Sequence, residues 1–227
     1  MLPLVNIHSY VWTGLALFAF SVGASAEPVL ISQKNDGEFE GWASYQEKAG
    51  VKTGDVWSLD DDGVLSCRGK ALGYLYTEKS YTNFTLSFEW RWPPGGEAGK
   101  GGVLLRTVGE QKIWPKSFEV QLNAGDAGDF WGIGGYQLKA APKRTEKLAH
   151  KQFGDLIHVT KLLAVERPVG EWNRGTVTMT GGEVTVRMND KLVNEATGCD
   201  TKPGRIVLTA EGTPIQFRKV DLSETAE

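Results

Sequence analysis

Charged residues are absent from the start of this 227-residue chain. The first 26 residues carry no Lys, Arg, Asp or Glu, although the whole sequence has 25 basic and 28 acidic residues. The apolar run over residues 11–23 precedes Ala24-Ser25-Ala26, a small-x-small cleavage pattern. We therefore predict a signal peptide over residues 1–26 and export to the periplasm or the cell exterior. A retained anchor is the alternative, but the run is short for a membrane span.

Other scarce features each exclude a class of function. The net charge of −3 offers no basic surface for nucleic acid. No later apolar run is long enough to cross a membrane, so no span is expected once the signal is removed. No Cys/His spacing resembles a zinc site, and no Ser-His-Asp nucleophile signature is present. The remaining residues, 27–227, are of a length that suits one domain with a full core.

Cysteine is also rare, since only Cys67 and Cys199 occur. In an exported protein these two residues can form a disulfide, and they can equally be two buried thiols. Calcium is a further open alternative, because Asp126 and Asp129 lie close together in a turn-rich segment. Their spacing is loose and further acidic residues are lacking nearby, so no cofactor is expected.

What the sequence does contain is one strand pattern after another. Each apolar or alternating stretch is bounded by Gly, Pro, Asn or Asp, and convincing helical periodicity is absent. The segment 147–159 is ambiguous and could hold a helical turn. Many evenly spaced strands predict an all-β jelly-roll sandwich of two antiparallel sheets. The predicted strands cover residues 64–67, 73–77, 84–92, 102–107, 117–122, 176–180, 184–189, 192–196, 205–211 and 215–222.

The longest predicted strand separates aromatic residues from polar ones. Alternate positions from Phe84 to Trp92 are large and apolar, and five such side chains are expected to face the core. Glu89 and Arg91 fall on the opposite face, where an ion pair is usually only a solvated surface. In the strand 102–107, Arg106 likewise lies opposite the apolar positions.

One short strand carries an unusual polar face. Ser117, Glu119, Gln121 and Asn123 alternate with apolar residues, which marks a half-buried strand. A carboxylate followed by two amides can hold a sugar, because these planar groups accept and donate hydrogen bonds. An ordinary solvated face is the alternative interpretation.

Four aromatic residues lie in turn-rich segments and are candidates for sugar binding: Trp114, Phe130, Trp131 and Tyr136. Trp131 and Tyr136 follow the polar strand and can serve as platforms on which sugar rings stack. Equally, they can plug the end of the sandwich.

The order of motifs along the chain resembles a known family. YTNFTLSFEWRW, GGVLLRT, FEVQLN, GIGGY, GEWNR, VRMNDKLV and IQFRKVDL follow one another as in the domain known as DUF1080, the 3-keto-disaccharide hydrolase or 3-keto-glucoside lyase/hydratase domain. The resemblance covers residues 28–224. It implies a concanavalin- or LamG-like jelly roll, export, and an oxidised glucoside or other carbohydrate as partner. The chain departs from the family at Lys100-Gly101-Gly102 and at Asn123, and residues 143–167 resemble an insertion.

The resemblance also implies a chemistry. A ketone at C3 acidifies the hydrogen at C2, so a base can remove it and the group at C1 can leave. We predict Glu119 as the base, Arg106 as the group that stabilises the enolate oxygen, and His150 as acid or base. The substrate-binding residues are predicted to be Glu89, Arg91, Gln121, Asn123, Trp131 and Tyr136.

Two other functions remain open from the residues alone. An ordinary glycoside hydrolase needs two carboxylates, and Glu89 would supply the second from another strand. A non-catalytic glycan-binding module needs only the polar strand and the aromatic platforms.

Overall fold

A computed structural model describes residues 31–35 and 37–225 of the chain. The predicted signal peptide lies outside the described residues. Within the described part, no helix has the length and apolarity needed to cross a membrane.

The described chain is built almost entirely of strands. The exceptions are a single-turn helix α1 (Thr53–Val56) and a 3-10 turn over Pro142–Arg144. The strands are β1 (Gln33–Asn35), β2 (Glu38–Phe39), β3 (Trp42–Gln46), β4 (Trp57–Leu59), β5 (Leu65–Cys67), β6 (Gly73–Thr77), β7 (Phe84–Arg91), β8 (Gly102–Val108), β9 (Lys116–Gln121), β10 (Phe130–Ile133), β11 (Thr145–His150), β12 (Gly154–Val159), β13 (Asn173–Thr180), β14 (Glu183–Met188), β15 (Lys191–Ala196), β16 (Arg205–Ala210) and β17 (Ile215–Glu224).

Two large antiparallel sheets form the sandwich, as predicted. One has eight strands in the order β11-β12-β10-β9-β8-β16-β6-β3. The other has seven strands in the order β15-β14-β13-β7-β17-β5-β4, and β1 and β2 form a separate pair. The fold is therefore the jelly-roll sandwich that the strand pattern predicts.

Alternation explains how the sheets pack. In β7, Phe84, Leu86, Phe88 and Trp90 are at most 1% exposed and belong to the core between the sheets. Large aromatic side chains bury the most area per residue, so this strand supplies much of the hydrophobic stabilisation. The intervening polar side chains of β7 face outward from the seven-stranded sheet.

The predicted meander near the carboxyl end is present as β13, β14 and β15. Met188 pairs with Lys191 across a two-residue turn formed by Asn189 and Asp190. Both turn residues have positive φ, 49° and 67°, as a type I′ hairpin turn requires.

The segment 147–159 forms strands instead of a helical turn. Its residues belong to β11 and β12, which pair from Thr145 opposite Val159 to His150 opposite Gly154. β11 is the edge of the sheet, and five of its six residues are exposed. Because both faces of such a strand meet water, its sequence lacks the alternation by which strands are recognised.

The two cysteines are buried and unpaired. Cys67 lies in β5, and Cys199 follows β15. Burial raises the pKa of each thiol to about 12, which keeps both protonated and unreactive at neutral pH.

Candidate functional site

A cleft lies on the outer face of the eight-stranded sheet, above β9 and β10. Its floor includes Glu119, which pairs with Trp131 across the two strands. One wall comes from the loop between β8 and β9, and the other comes from the β11–β12 hairpin. The cleft has a volume of about 240 Å³ and is lined by Trp114, Glu119, Gln121, Trp131, Ile133, His150, Phe153, Leu156 and Glu211.

The carboxyl groups of Glu119 and Glu211 both line this cleft, and their positions are set by contacts with Thr209 and Gly102. The Thr209 hydroxyl oxygen lies 2.7 Å from Glu211 Oε1 and also accepts the backbone N–H of Gly102 at 2.7 Å. Glu119 crosses over Gly102, where an added Cβ would come within 2.4 Å of its Oε1 atom. The carboxyl group therefore occupies the space that a side chain at this position would need. Thr209 therefore orients Glu211 on one side of Gly102, and Glu119 occupies the space beside it.

The pKa values of both carboxyl groups are raised. Glu119 is 9% exposed, and burial together with the neighbouring Glu211 raises its pKa well above the usual range. Burial also raises the pKa of Glu211, although the Thr209 hydroxyl and the charge of Lys100 oppose the increase. Two close carboxyl groups away from water favour a state that holds one proton between them. Such a pair offers one proton acceptor and one proton donor.

Trp131 is held in place from the side away from Glu119. Its ring stacks on His158 with 4.3 Å between centroids, and His158 Nε2 lies 2.8 Å from Asp129 Oδ2. Partial burial raises the pKa of Asp129, but hydrogen bonds from His158 and Lys161 outweigh this effect. The pKa of Asp129 is therefore below its usual value. The indole N–H of Trp131 is buried and has no acceptor among the described residues. Trp131 thus contributes an oriented ring surface to the cleft.

His150 reaches the cleft from the end of β11. Its ring stacks on Phe153 with 4.5 Å between centroids. The Nδ1 atom accepts the backbone N–H groups of Gln152 and Phe153 at 3.2 and 3.3 Å. In a neutral ring the proton then resides on Nε2, so His150 is oriented as a hydrogen-bond donor.

The wall opposite the hairpin is anchored to the sheet by aromatic contacts. Trp114 lies 6.5 Å from the ring of Tyr74, whose hydroxyl donates to Gln111 Oε1 at 2.5 Å and lies 3.2 Å from the Lys112 carbonyl oxygen. Trp114 has a φ of 52°, which turns the loop back over the sheet. These contacts hold the β8–β9 loop across the outer face.

Arg106 does not lie in this cleft, so its predicted place beside Glu119 is wrong. The pairing of β8 with β9 is irregular between Leu105 and Val108, and Arg106 has a φ of 47°. A bulge of this kind reverses the face on which the next side chain lies. The guanidinium is 1% exposed and donates to the carbonyl oxygens of three segments at the end of the sandwich. Those oxygens belong to Thr82, Gly181 and Asp200, at 2.6 to 2.9 Å.

Tyr136 and Asn123 also lie away from the cleft. Tyr136 is 1% exposed within the core, and its hydroxyl donates to the Asp200 carbonyl at 2.9 Å. Its role is therefore that of a plug at the sandwich end, the alternative considered for this residue. Asn123 follows β9 and accepts the backbone N–H of Gly101 at 3.0 Å, so it fixes the loop that leads into β8.

Glu89 and Arg91 lie on the other side of the sandwich, so the prediction of one cleft with Glu119 is wrong for both. They face outward from the seven-stranded sheet, because their neighbours in β7 fill the core. Glu89 contacts Arg218 and Lys219; partial burial raises its pKa, but these two partners together lower it. Arg91 lies 4.2 Å from the centroid of Trp172.

The two aspartates considered for calcium have different surroundings. Asp129 accepts the backbone N–H and the Nζ of Lys161 and lies against His158, so its oxygens already have partners. Asp126 is exposed and lies 3.6 Å from Lys161 Nζ. Across the described ranges, no group of three or more His, Cys, Asp or Glu side chains is placed to hold a metal ion.

The structure adds residues that the pattern did not assign to the site. Glu211 ends a predicted strand, and nothing in its local sequence distinguishes it from any strand-terminal acid. Trp114 was one of several aromatic residues in turn-rich segments, and the ambiguity of 147–159 concealed Phe153 and Leu156. Glu211 can be assigned to the site only from the pairing of β16 with β8, which sets Thr209 beside Gly102.

Comparison with solved structures gives the same architecture. A glycosyl hydrolase-like protein from Parabacteroides distasonis superposes with a TM-score of 0.57 at 18% identity, covering 85% of this chain and 92% of the other. The carbohydrate-binding module CBM66 from Bacillus subtilis gives 0.57 at 14% identity, covering 82% and 96%. The laminarinase from Rhodothermus marinus gives 0.52 at 12% identity, covering 82% and 91%. These similarities show a shared fold.

No curated protein matches the sequence. The profile of the 3-keto-alpha-glucoside-1,2-lyase-like domain matches residues 30–223, nearly the whole described chain. The chain therefore belongs to the 3-keto-alpha-glucoside-1,2-lyase-like domain family.

Proposed function

We propose that this protein is an exported carbohydrate-active enzyme that acts on 3-keto-glycosides as a lyase/hydratase or hydrolase. The observation that carries the proposal is the buried pair Glu119 and Glu211 on the floor of the cleft. Family membership supports the oxidised sugar as substrate, and the apolar first 26 residues support export.

The reaction follows from the acidity of C2 next to a C3 ketone. One carboxylate removes the C2 proton, and the electron pair moves into an enolate at C2, C3 and the ketone oxygen. When the ketone re-forms, the double bond shifts to C1 and C2 and the C1–O bond breaks. The departing oxygen takes a proton from the second carboxyl group. Water then adds at C1 and a proton returns to C2, which completes a net hydrolysis.

The environment of the pair suggests how the two roles divide. Glu119 is the more strongly buried member and no hydrogen bond to its carboxyl group is found among the described residues, so it retains the shared proton. Glu211 has the Thr209 hydroxyl and the charge of Lys100 to stabilise its ionised form. In this proposal Glu211 is the base and Glu119 is the acid, which reverses the role expected for Glu119 from the sequence.

Donors for the enolate oxygen come from the cleft instead of from Arg106. The Nε2–H of His150 and the side-chain amide of Gln121 both border the cleft. A neutral imidazole that donates to an enolate oxygen stabilises the developing charge without a full cation. Gln121 is also suited to hold a sugar hydroxyl.

An ordinary glycoside hydrolase is the second candidate, because two carboxyl groups in one cleft are also what such enzymes require. The two candidates differ in the need for the ketone. Incubation of the purified protein with 3-keto-glucosides and with the matching unmodified glucosides distinguishes them. We expect aglycone release from the keto form only. Release from both forms would favour the glycosidase, and glycan binding without turnover of either would favour a binding module.

Variants of the pair test the chemistry directly. Glu119→Gln and Glu211→Gln keep the size of the side chain and remove its proton exchange, so we expect each to lower turnover by about 10²–10⁴-fold. Leu148→Ala, an exposed change on the hairpin outside the cleft, is the control and should keep full activity. Full activity in both glutamine variants would refute the assignment.

The dependence of stability on pH gives an independent readout. A carboxyl group whose pKa is raised by folding binds its proton more tightly in the folded state. Its contribution is therefore fully present below the unfolded pKa and is lost as pH rises through the folded pKa. Glu119→Gln should remove this loss, so thermal unfolding should show a smaller decrease in stability between acidic and alkaline pH than in the wild type. An unchanged pH slope would contradict the raised pKa.

A further inference from the structure

Apart from His150, which the proposed reaction uses to hold the enolate oxygen, the hydrogen-bonding side chains of the cleft are concentrated on its floor. Glu119 and Gln121 belong to β9, and Glu211 directly follows β16. These side chains provide enough acceptors and donors for the hydroxyls and the reacting atoms of one sugar ring. A sugar that binds here for the proposed reaction has its C1 and C2 atoms at this floor.

The walls of the cleft are different, because they are made of apolar side chains. Trp114 projects from the β8–β9 loop, while Phe153 and Leu156 belong to the β11–β12 hairpin. Tyr74 supports Trp114 from below, and Phe153 is stacked on His150 with 11° between the ring planes. Since these contacts fix the rings, the walls are preformed surfaces.

Aromatic walls can stack against the faces of a second sugar ring, but they leave most of the hydroxyls at its edge without hydrogen-bond partners. Its hydroxyls would lose water, while Trp114, Phe153 and Leu156 offer the side-chain N–H of Trp114 and otherwise no side-chain hydrogen-bonding group. Polar groups that become buried without partners oppose binding. A pocket that offers no partners to the hydroxyls of a second sugar therefore discriminates against that sugar by about tenfold or more. An apolar ring would instead exchange its own hydration shell for contact with two aromatic side chains.

The size of the cleft sets a second limit. Its volume of about 240 Å³ is below the span of roughly 300–1,000 Å³ that is typical of ligand pockets. Such a cleft has space for one sugar ring and a small group attached to it. The further units of an extended glycan would lie beyond the walls, in solvent.

We propose that the cleft selects glycosides with a small, apolar, ring-shaped aglycone over glycosides in which the aglycone is a second sugar. This inference rests on the proposed function, because it specifies the substrate class of the same cleft. The aglycone lies between Trp114 of the loop and Phe153 of the hairpin, and the oxidised sugar lies over the carboxyl pair.

Two 3-keto-glucosides with matched leaving groups test the preference. In benzyl 3-keto-glucoside and in 3-keto-isomaltose, with the oxidised ring at the non-reducing end, the departing group is a primary alcohol. Differences in rate then reflect the binding of the aglycone more than its intrinsic ability to leave. The α-linked benzyl compound is compared with 3-keto-isomaltose, and the β-linked benzyl compound with 3-keto-gentiobiose, its β-(1→6) counterpart. For the anomer that reacts, we expect kcat/KM to be at least tenfold higher for the benzyl compound. An equal or higher value for the matched disaccharide would overturn the inference and leave the proposed function standing.

A variant of one wall connects the preference to the structure. Phe153→Ala removes an apolar wall residue, so the ratio of the benzyl kcat/KM to the kcat/KM of the matched disaccharide should decrease about fivefold or more. Leu148→Ala removes a more exposed apolar side chain from the same hairpin, one that does not line the cleft, and it should leave the ratio unchanged. An unchanged ratio in Phe153→Ala, or an equal decrease in Leu148→Ala, would contradict the assignment of the wall.

Binding measurements separate this inference from the proposed function. If neither keto compound is turned over, the binding of benzyl glucoside and of isomaltose is compared through the quenching of tryptophan fluorescence. Tighter binding of benzyl glucoside, lost in Phe153→Ala, would support the apolar walls and reject the reaction. Binding of isomaltose that equals or exceeds that of benzyl glucoside would reject the walls as well.

Discussion

Arg106 illustrates how a single backbone irregularity decides the role of a side chain. Its guanidinium donates hydrogen bonds to carbonyl oxygens of three separate segments, so it links these segments at the end of the sandwich. Arg106→Met would leave Thr82, Gly181 and Asp200 with carbonyl groups that lack this donor. The Asp200 carbonyl keeps its hydrogen bond from Tyr136, whereas those of Thr82 and Gly181 lose the arginine. We expect a loss of about 2 kcal/mol or more in the free energy of unfolding, since each unsatisfied buried group costs about 1–3 kcal/mol. Urea denaturation measures this loss.

The control for Arg106 is an arginine at the surface. Arg187 is exposed and donates a hydrogen bond to the Asp190 carbonyl within its own hairpin, so Arg187→Met should change stability by less than about 0.5 kcal/mol. The folded fraction of Arg106→Met should retain turnover within about threefold of the wild type. A loss of about 10²-fold in turnover with normal stability would restore the catalytic role that the sequence suggested.

At the scale of secondary-structure elements, the β11–β12 hairpin and the β8–β9 loop turn a sheet face into a cleft. The sheet alone supplies Glu119, Gln121 and Trp131, which are side chains on a pleated surface. The loop and the hairpin bring Trp114 and Phe153 up on either side. Under the proposed function, substrate preference depends on these two connections, while Glu119 is held within β9 and Glu211 directly follows β16.

The β14–β15 hairpin allows a test of element stability away from the cleft. Asp190 has a φ of 67°, which glycine adopts without strain, and its ion pair with Arg174 at 3.4 Å is exposed. We expect Asp190→Gly to stabilise the protein by about 0.5–1 kcal/mol in urea denaturation.

The matched change at Asn189 should have the opposite sign. Its side chain donates to the Val165 carbonyl and to Asn173, and it accepts the backbone N–H of Arg174. Asn189→Gly relieves a similar φ of 49° but removes these three hydrogen bonds, so we expect a net loss of stability. Stabilisation by both changes would show that the side-chain contacts of Asn189 contribute little.

At the scale of the whole molecule, the core separates two outer surfaces with different chemistry. Glu119 and Glu211 are on the outer face of the eight-stranded sheet, and Glu89 is on the outer face of the other sheet. Sheets in a sandwich pack about 10 Å apart, and outward side chains on opposite sheets are farther apart still. Glu89 therefore cannot act on a sugar bound beside Glu119.

This separation predicts the outcome of a change on the far surface. Glu89→Gln removes the charge that pairs with Arg218 and Lys219, and turnover of a 3-keto-glucoside should stay within about twofold of the wild type. Kinetics on the purified variant, together with circular dichroism to verify folding, provide the measurement. A decrease of tenfold or more in a folded variant would locate part of the active site on the seven-stranded sheet.

Much of the fold is readable from the sequence because the strands bury one face. The alternation in β7 and β9 separates core side chains from outward ones, and glycine or asparagine at turns marks where strands end. The same alternation places Glu119, Gln121 and Trp131 on an outer surface. The edge strand β11 escapes this reasoning, since it has no buried face to impose a pattern.

Local sequence by itself determined the sandwich class, the polar face of β9 and the candidacy of Glu119. Tertiary structure decided which sheet each strand joins, and thus which polar residues share a surface. That choice depends on contacts between distant segments: the register of β16 against β8 brings Glu211 next to Glu119, and a bulge in β8 removes Arg106 from them. Alternation specifies the face of a strand but carries no information about its neighbours, so the partner of Glu119 became visible only when the sheets were assembled.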